Sequence, residues 1–180
     1  MILVKLFHGS IYDFEQFEIS EKHLRTKKDS LMEGLGIYFS TEKDFAKDYG
    51  NYVYTIELDE KNCWDFTDKK VIKNIIKKLS QKVRLDLSAF IPQISIDSLI
   101  SGQISATKFS REIILWLDST ESFYSIFEDD TEELFENIEA FYEDILNEKD
   151  FIKYYDSSFK ANIYLCRNNA EKIIFTKETF

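Results

Sequence analysis

The chain has one proline and five glycines in 180 residues, too few for a long disordered linker. Its two cysteines, Cys63 and Cys166, lie far apart and match no metal spacing, which fits a protein of the reducing cytoplasm. No window approaches eighteen consecutive apolar residues, and the apolar run in the opening MILVKLFHG is too short for the core of a signal peptide, so neither a membrane span nor secretion by a recognisable signal is expected. Glycine-rich phosphate loops of both common types are missing, as are HExxH, GxSxG and CxxC, which removes most support for simple hydrolase and metal readings. A net charge of -10 repels phosphates on average and disfavours direct nucleic-acid binding.

The chain does have a 44% hydrophobic fraction, with 16% aromatic residues, the composition of a packed globular protein. Its length suits one domain over residues 1–180 that buries roughly 70% of the surface of its unfolded form. Ile2, Leu3, Val4, Leu6 and Phe7 read as a buried strand that ends at His8-Gly9. Residues 18–34 are polar and read as a loop with a short helical turn. Gly34 and Gly36 frame the apolar burst 37-IYF-39, and Ser40-Thr41 supplies an N-cap for a helix over about 41–49. A strand follows over 52–58, then a turn through Asp59-Glu60-Lys61-Asn62. From Asp68 the period changes: Val71, Ile72, Ile75, Ile76, Leu79 and Val83 predict an amphipathic helix with a lysine-rich outer face.

Beyond it, short helices are expected around 95–101 and 107–117. Residues 118–150 then hold thirteen carboxylates against Lys149 alone, with an apolar helical stripe over about 131–147 that puts the acids on the opposite face. Residues 162–180 read as two strands joined through Asn168-Asn169. The order of elements indicates an α+β domain, in three parts: about 1–66, a helical middle over about 67–155, and C-terminal strands over about 161–176.

Two blocks stand out as candidate chemistry, 6-LFHGS-10 with Asp13, Phe14 and Phe17 behind it, and 34-GLGIYFSTEKDFAKDY-49. Together with 52-YVYTIELDEKNCWDF-66 they resemble the ADP-ribosyltransferase superfamily, in its histidine-tyrosine branch and especially its small bacterial and phage-encoded members. The resemblance covers residues 3–66 and returns over 161–175. It implies an ADP-ribosyltransferase-like pair of small packed β-sheets with a helical insertion, and a concave site for NAD as co-substrate between the sheets.

There His8 would hydrogen-bond a ribose hydroxyl, and Gly9, next to Ser10, would hold the nicotinamide carboxamide through its backbone. Tyr38 and Tyr49 would sandwich the ring, as aromatic faces stack on flat partners. Arg25, with Lys27 and Lys28, lies in the loop between the motifs, where it would meet the NAD pyrophosphate or stand in solvent. Members of this branch commonly place Glu before a short apolar C-terminal strand. Here the strand is 163-IYLC-166, and Asn162 occupies that position, able to hydrogen-bond but not to act as a base. Asp156 is the nearest upstream carboxylate.

The activity implied is mono-ADP-ribosyl transfer to a macromolecule, more readily a protein, in the setting of a bacterial toxin with an antitoxin or a phage effector such as an anti-CRISPR. With water as acceptor the same site would be an NAD glycohydrolase. A reading of another class is a non-catalytic interaction protein whose 118–150 acids imitate a phosphate backbone and block a nucleic-acid-binding partner. The bland alternatives are that His8 caps a strand, that Tyr49 packs a helix end, and that His23 is a solvated loop residue.

Overall fold

The structure, a computed structural model, describes residues 2–19, 36–83, 88, 91, 93–109 and 148–180. The first strand, β1 (Leu3–Ser10), runs past the expected end at His8-Gly9. His8, Gly9 and Ser10 stay in register with Tyr54, Val53 and Tyr52 of β3 (Tyr52–Asp59), and a continuous partner keeps the strand extended.

Between them lie β2 (Ile37–Ser40) and α1 (Lys43–Lys47). The expected cap at Ser40-Thr41 is corrected: Glu42 is the N-cap, without a side-chain bond. Ser40 belongs to β2, and its Oγ accepts from the Glu42 N–H at 3.0 Å. That local turn competes with helix initiation and shifts the start downstream.

The turn after β3 is a 3₁₀ helix over Glu60–Asn62, with Asp59 accepting from the Lys61 N–H. It leads into β4 (Cys63–Asp65) and α2 (Lys69–Val83). Helix α3 spans Gln93–Ile100, matching the helix expected near 95–101. Residues 106–109 begin another helical stretch, and the rest of the one expected over 107–117 lies outside the described residues. So do the polar loop from residue 20 to 35, with His23, Arg25, Lys27 and Lys28, and the acidic helix over 131–147.

Two assignments in the C-terminal third change. The helical middle does not reach 155, because Phe151–Asp156 form β5, whose short aromatic run FIKYYD pairs with β4 on one side and with β6 (Ala161–Cys166) on the other. The two last strands are also not a hairpin across Asn168-Asn169. Asn169 takes a left-handed conformation, φ 53°, and opens a 3₁₀ turn over Ala170–Lys172, after which the chain crosses to the far edge and β7 (Thr176–Thr179) pairs with β3.

The resulting sheet has the order β4-β5-β6-β2-β1-β3-β7. Among the described strands, only the β4–β5 pair is parallel. Where a pair of small packed sheets is expected, the described strands form one sheet with a seam. Strands β1 and β2 share the single register pair Phe7 and Ser40, whereas each is continuously paired with its other neighbour.

Each face of the sheet buries its own core. On one, Ile72, Ile75 and Ile76 of α2 and Ile96 and Leu99 of α3 pack against Ile152, Ile163 and Leu165. On the other, Phe17, Ile173 and Phe175 cover Leu6, Phe39, Tyr54 and Tyr164. Each fully buried isoleucine, leucine or phenylalanine among them contributes on the order of 1.5–3 kcal/mol by leaving water.

Cys63 and Cys166 are free and buried, each in register with Phe151 between them. Burial pushes both thiols up, Cys166 to about 12, so neither is a ready nucleophile. No helix among the described residues is long and apolar enough to cross a membrane.

Candidate functional site

The seam between β1 and β2 borders a cavity of about 320 Å³. Side chains alternate across a strand, so Tyr38 and Ser40 of β2 share a face with Ile163 of β6 and with Tyr154 and Asp156 of β5, all in the lining. Helix α1 closes the cavity from above with Phe45 and Ala46, and the turn after it adds Tyr49.

Gly9 explains how α1 comes so close. A Cβ at that position would fall 1.7 Å from the Ala46 carbonyl oxygen and 3.0 Å from the Tyr49 Cβ. Only hydrogen fits between strand and helix there, and this contact sets Tyr49 on the same cavity as Tyr38. The Tyr49 N–H donates to the Ala46 carbonyl at 3.1 Å, while its side chain stays half exposed and packs edge-on to Phe45 at 5.2 Å.

His8 and Phe39 belong by alternation to the other face and border the cavity at the seam. The imidazole sits in an aromatic cluster, 5.6 Å from the Phe17 and Phe39 rings and 6.2 Å from that of Tyr54. Its Nδ1 lies 2.8 Å from the Tyr38 carbonyl oxygen. A carbonyl only accepts, so Nδ1 carries the proton and the neutral ring presents Nε2 as an acceptor. Burial lowers the His8 pKa below 6.5, partly offset by that hydrogen bond, which keeps the ring neutral near pH 7. The bond also ties β1 to β2 where their ladder is reduced to one pair.

Among the described residues, Asp156 is the charged member of the lining. It is 7% exposed, and its Oδ1 accepts from the Ser158 N–H at 2.8 Å and the Phe159 N–H at 3.3 Å. These bonds fix the turn that brings Phe159 over the cavity, 4.8 Å from the Phe45 ring. The Tyr49 phenol is raised by burial first, then by the charges of Asp156 and Asp48.

The structure thus brings His8, Gly9, Tyr38 and Tyr49 together. Ser10 stands outside the lining, its Oγ accepting from the Tyr12 N–H at 3.0 Å. Asn162, opposite Tyr155 in the β5–β6 register, alternates away from Ile163 and is also outside it. Arg25 lies outside the described residues.

Phe7, Phe45 and Phe159 complete the walls, and no motif singled them out. Asp156 was legible only as the carboxylate nearest to Asn162 in sequence; the β5–β6 hairpin puts it on the opposite face. At the end of the acidic segment, Glu148 pairs with Lys78 at 2.8 Å and Asp150 accepts from Asn62 and Asn169, so these two acids are engaged by neighbouring elements of the fold.

No family model matches the chain, and no curated protein matches it in sequence. Among solved structures, it is similar to a crystal structure of an anti-CRISPR protein, at 13% identity over 99% of this chain and 96% of that one, with a TM-score of 0.44.

Proposed function

We propose that the protein is an NAD-dependent mono-ADP-ribosyltransferase acting on a macromolecule, more readily a protein, in the cytoplasmic setting of a toxin or a phage effector such as an anti-CRISPR. The observation that carries this reading is convergence: four residues from two sequence blocks, His8, Gly9, Tyr38 and Tyr49, border one cavity. A volume of about 320 Å³ is at the small end for a ligand site. It suits a nicotinamide ring with part of its ribose and leaves the rest of the dinucleotide outside.

Each residue then has a part. Tyr38 and Tyr49 supply aromatic walls for the ring. The Gly9 backbone lies beside them for the carboxamide, and Nε2 of the neutral His8 accepts from a ribose hydroxyl. Holding the ring and ribose apart favours breakage of the bond from ribose C1′ to the ring nitrogen, whose electron pair leaves with neutral nicotinamide. The acceptor's nucleophile bonds C1′ and gives up its proton; what the site contributes is position and electrostatics. Half-exposed Tyr49 leaves this wall open to solvent, so without an acceptor water takes its place and the reaction is NAD hydrolysis.

The test is incubation of the purified protein with biotin-labelled NAD and bacterial lysate. Label is expected on a discrete target, lost in Tyr38→Ala and His8→Ala variants that retain the native circular dichroism spectrum. Nicotinamide released without label transfer assigns hydrolysis. If neither product forms, both donor-site readings fail and the acidic interaction protein takes their place.

A further inference from the structure

The cavity has an electrical character that two stacking tyrosines do not require. Among the described residues, the lining includes one carboxylate, Asp156, and no lysine or arginine. Among the described residues, both hydrogen bonds that the Asp156 carboxylate accepts fall on Oδ1, so Oδ2 has no hydrogen-bond donor there, and the residue belongs to the cavity lining. No ion pair to Asp156 forms among the described residues. A carboxylate withdrawn from water without a counter-charge is costly, and the aromatic faces around it are themselves electron-rich. A positive charge in the cavity relieves both, more strongly than in water because the walls are apolar. A flat cation fits; the strongly hydrated ammonium of a lysine gains less from such walls.

We infer that the cavity is a site for a flat aromatic cation, with Asp156 as the charge that selects it over a neutral ring of the same shape. The inference rests on the transferase reading for the identity of its ligand and gives that reading a direction. The nicotinamide ring of oxidised NAD bears a positive charge on its nitrogen. When the bond to C1′ breaks, the electron pair stays on that nitrogen and the ring becomes neutral. The site therefore holds the substrate ring and releases the product ring, and it discriminates against reduced NAD, whose ring is uncharged before any reaction.

Calorimetric titration with 1-methylnicotinamide, a cation, and nicotinamide, its neutral counterpart, tests this directly. The wild-type protein is expected to bind the cation about tenfold more tightly, with a preference that shrinks at high salt. In Asp156→Asn, whose Oδ1 still accepts from Ser158 and Phe159, the two ligands should bind within about twofold of each other. Equal affinities in the wild type, or no binding of the cation, overturn the inference without any variant having to fold. A preference that survives Asp156→Asn overturns the role given to that residue. Cation preference without NAD turnover sinks the transferase reading alone; NAD turnover without the preference sinks this inference alone.

Discussion

His8 shows how one side chain serves fold and site together. Its Nδ1–H bonds the Tyr38 carbonyl across the seam, and its ring is held among Phe14, Phe17, Phe39 and Tyr54. Both the structural reading, a capped strand, and the ligand reading use the same geometry, because the tautomer fixed by the first creates the acceptor needed by the second. Burial sets the His8 pKa below 6.5 in the fold, so the unfolded chain takes up the proton first as the pH falls. Stability is then full above 6.5 and declines as the pH drops from there towards the folded value, levelling off below it. Urea denaturation at about pH 7.5 and about pH 5.5 should reveal this loss in the wild type, and His8→Gln, which can still donate to Tyr38, should reduce it. An unchanged slope in the variant would assign the acid sensitivity to other groups.

Among the elements, α2 has the simplest sequence logic. Its apolar positions recur at helical spacing, and Ile72, Ile75 and Ile76 are buried while Lys69, Lys73 and Lys77 remain outside. The partners of its lysines are scattered: Lys69 reaches Asp97 and Lys78 reaches Glu148. Such exposed pairs contribute little. Ile76→Ala is accordingly expected to cost about 2–5 kcal/mol and Lys73→Ala less than about 0.5 kcal/mol, measured by chemical denaturation. Comparable losses would mean that the helix is held by its charged face. Strand β5 was illegible for the opposite reason. Phe151, Tyr154 and Tyr155 lie just beyond the apolar stripe of the acidic segment, and a six-residue run of aromatic and polar residues becomes a strand through pairing on both edges, which is a tertiary circumstance.

On the scale of the whole molecule, the sheet formed by the described strands separates two cores among the described residues, and the strands are common to both. Leu165 faces the α2–α3 side while Tyr164 and Cys166, its chain neighbours, face the other. Neither core can be lost without stripping a face of the same strands. Unfolding is therefore expected to be a single transition, in which Phe17→Ala on one side and Ile76→Ala on the other lower the same midpoint. Near- and far-ultraviolet circular dichroism that separate in either variant would show that the seam lets the halves unfold independently. The seam is also where the cavity lies: strands that pair at one point can part enough to admit residues from both faces to its border.

The sequence by itself determined the local elements whose periodicity is strong: β1, β2, β3 and the helix α2, together with the α+β character of the chain and the blocks that hold His8, Gly9, Tyr38 and Tyr49. Hydrophobic spacing and glycine placement are encoded over a few residues and need no distant partner to be read. Tertiary structure alone decided which strands pair, that the sheet is one with a seam, and that Asp156 faces the cavity while Asn162 faces away. A shift of one residue along a strand reverses the face of a side chain, and the register that prevents that shift comes from partners far away in the chain.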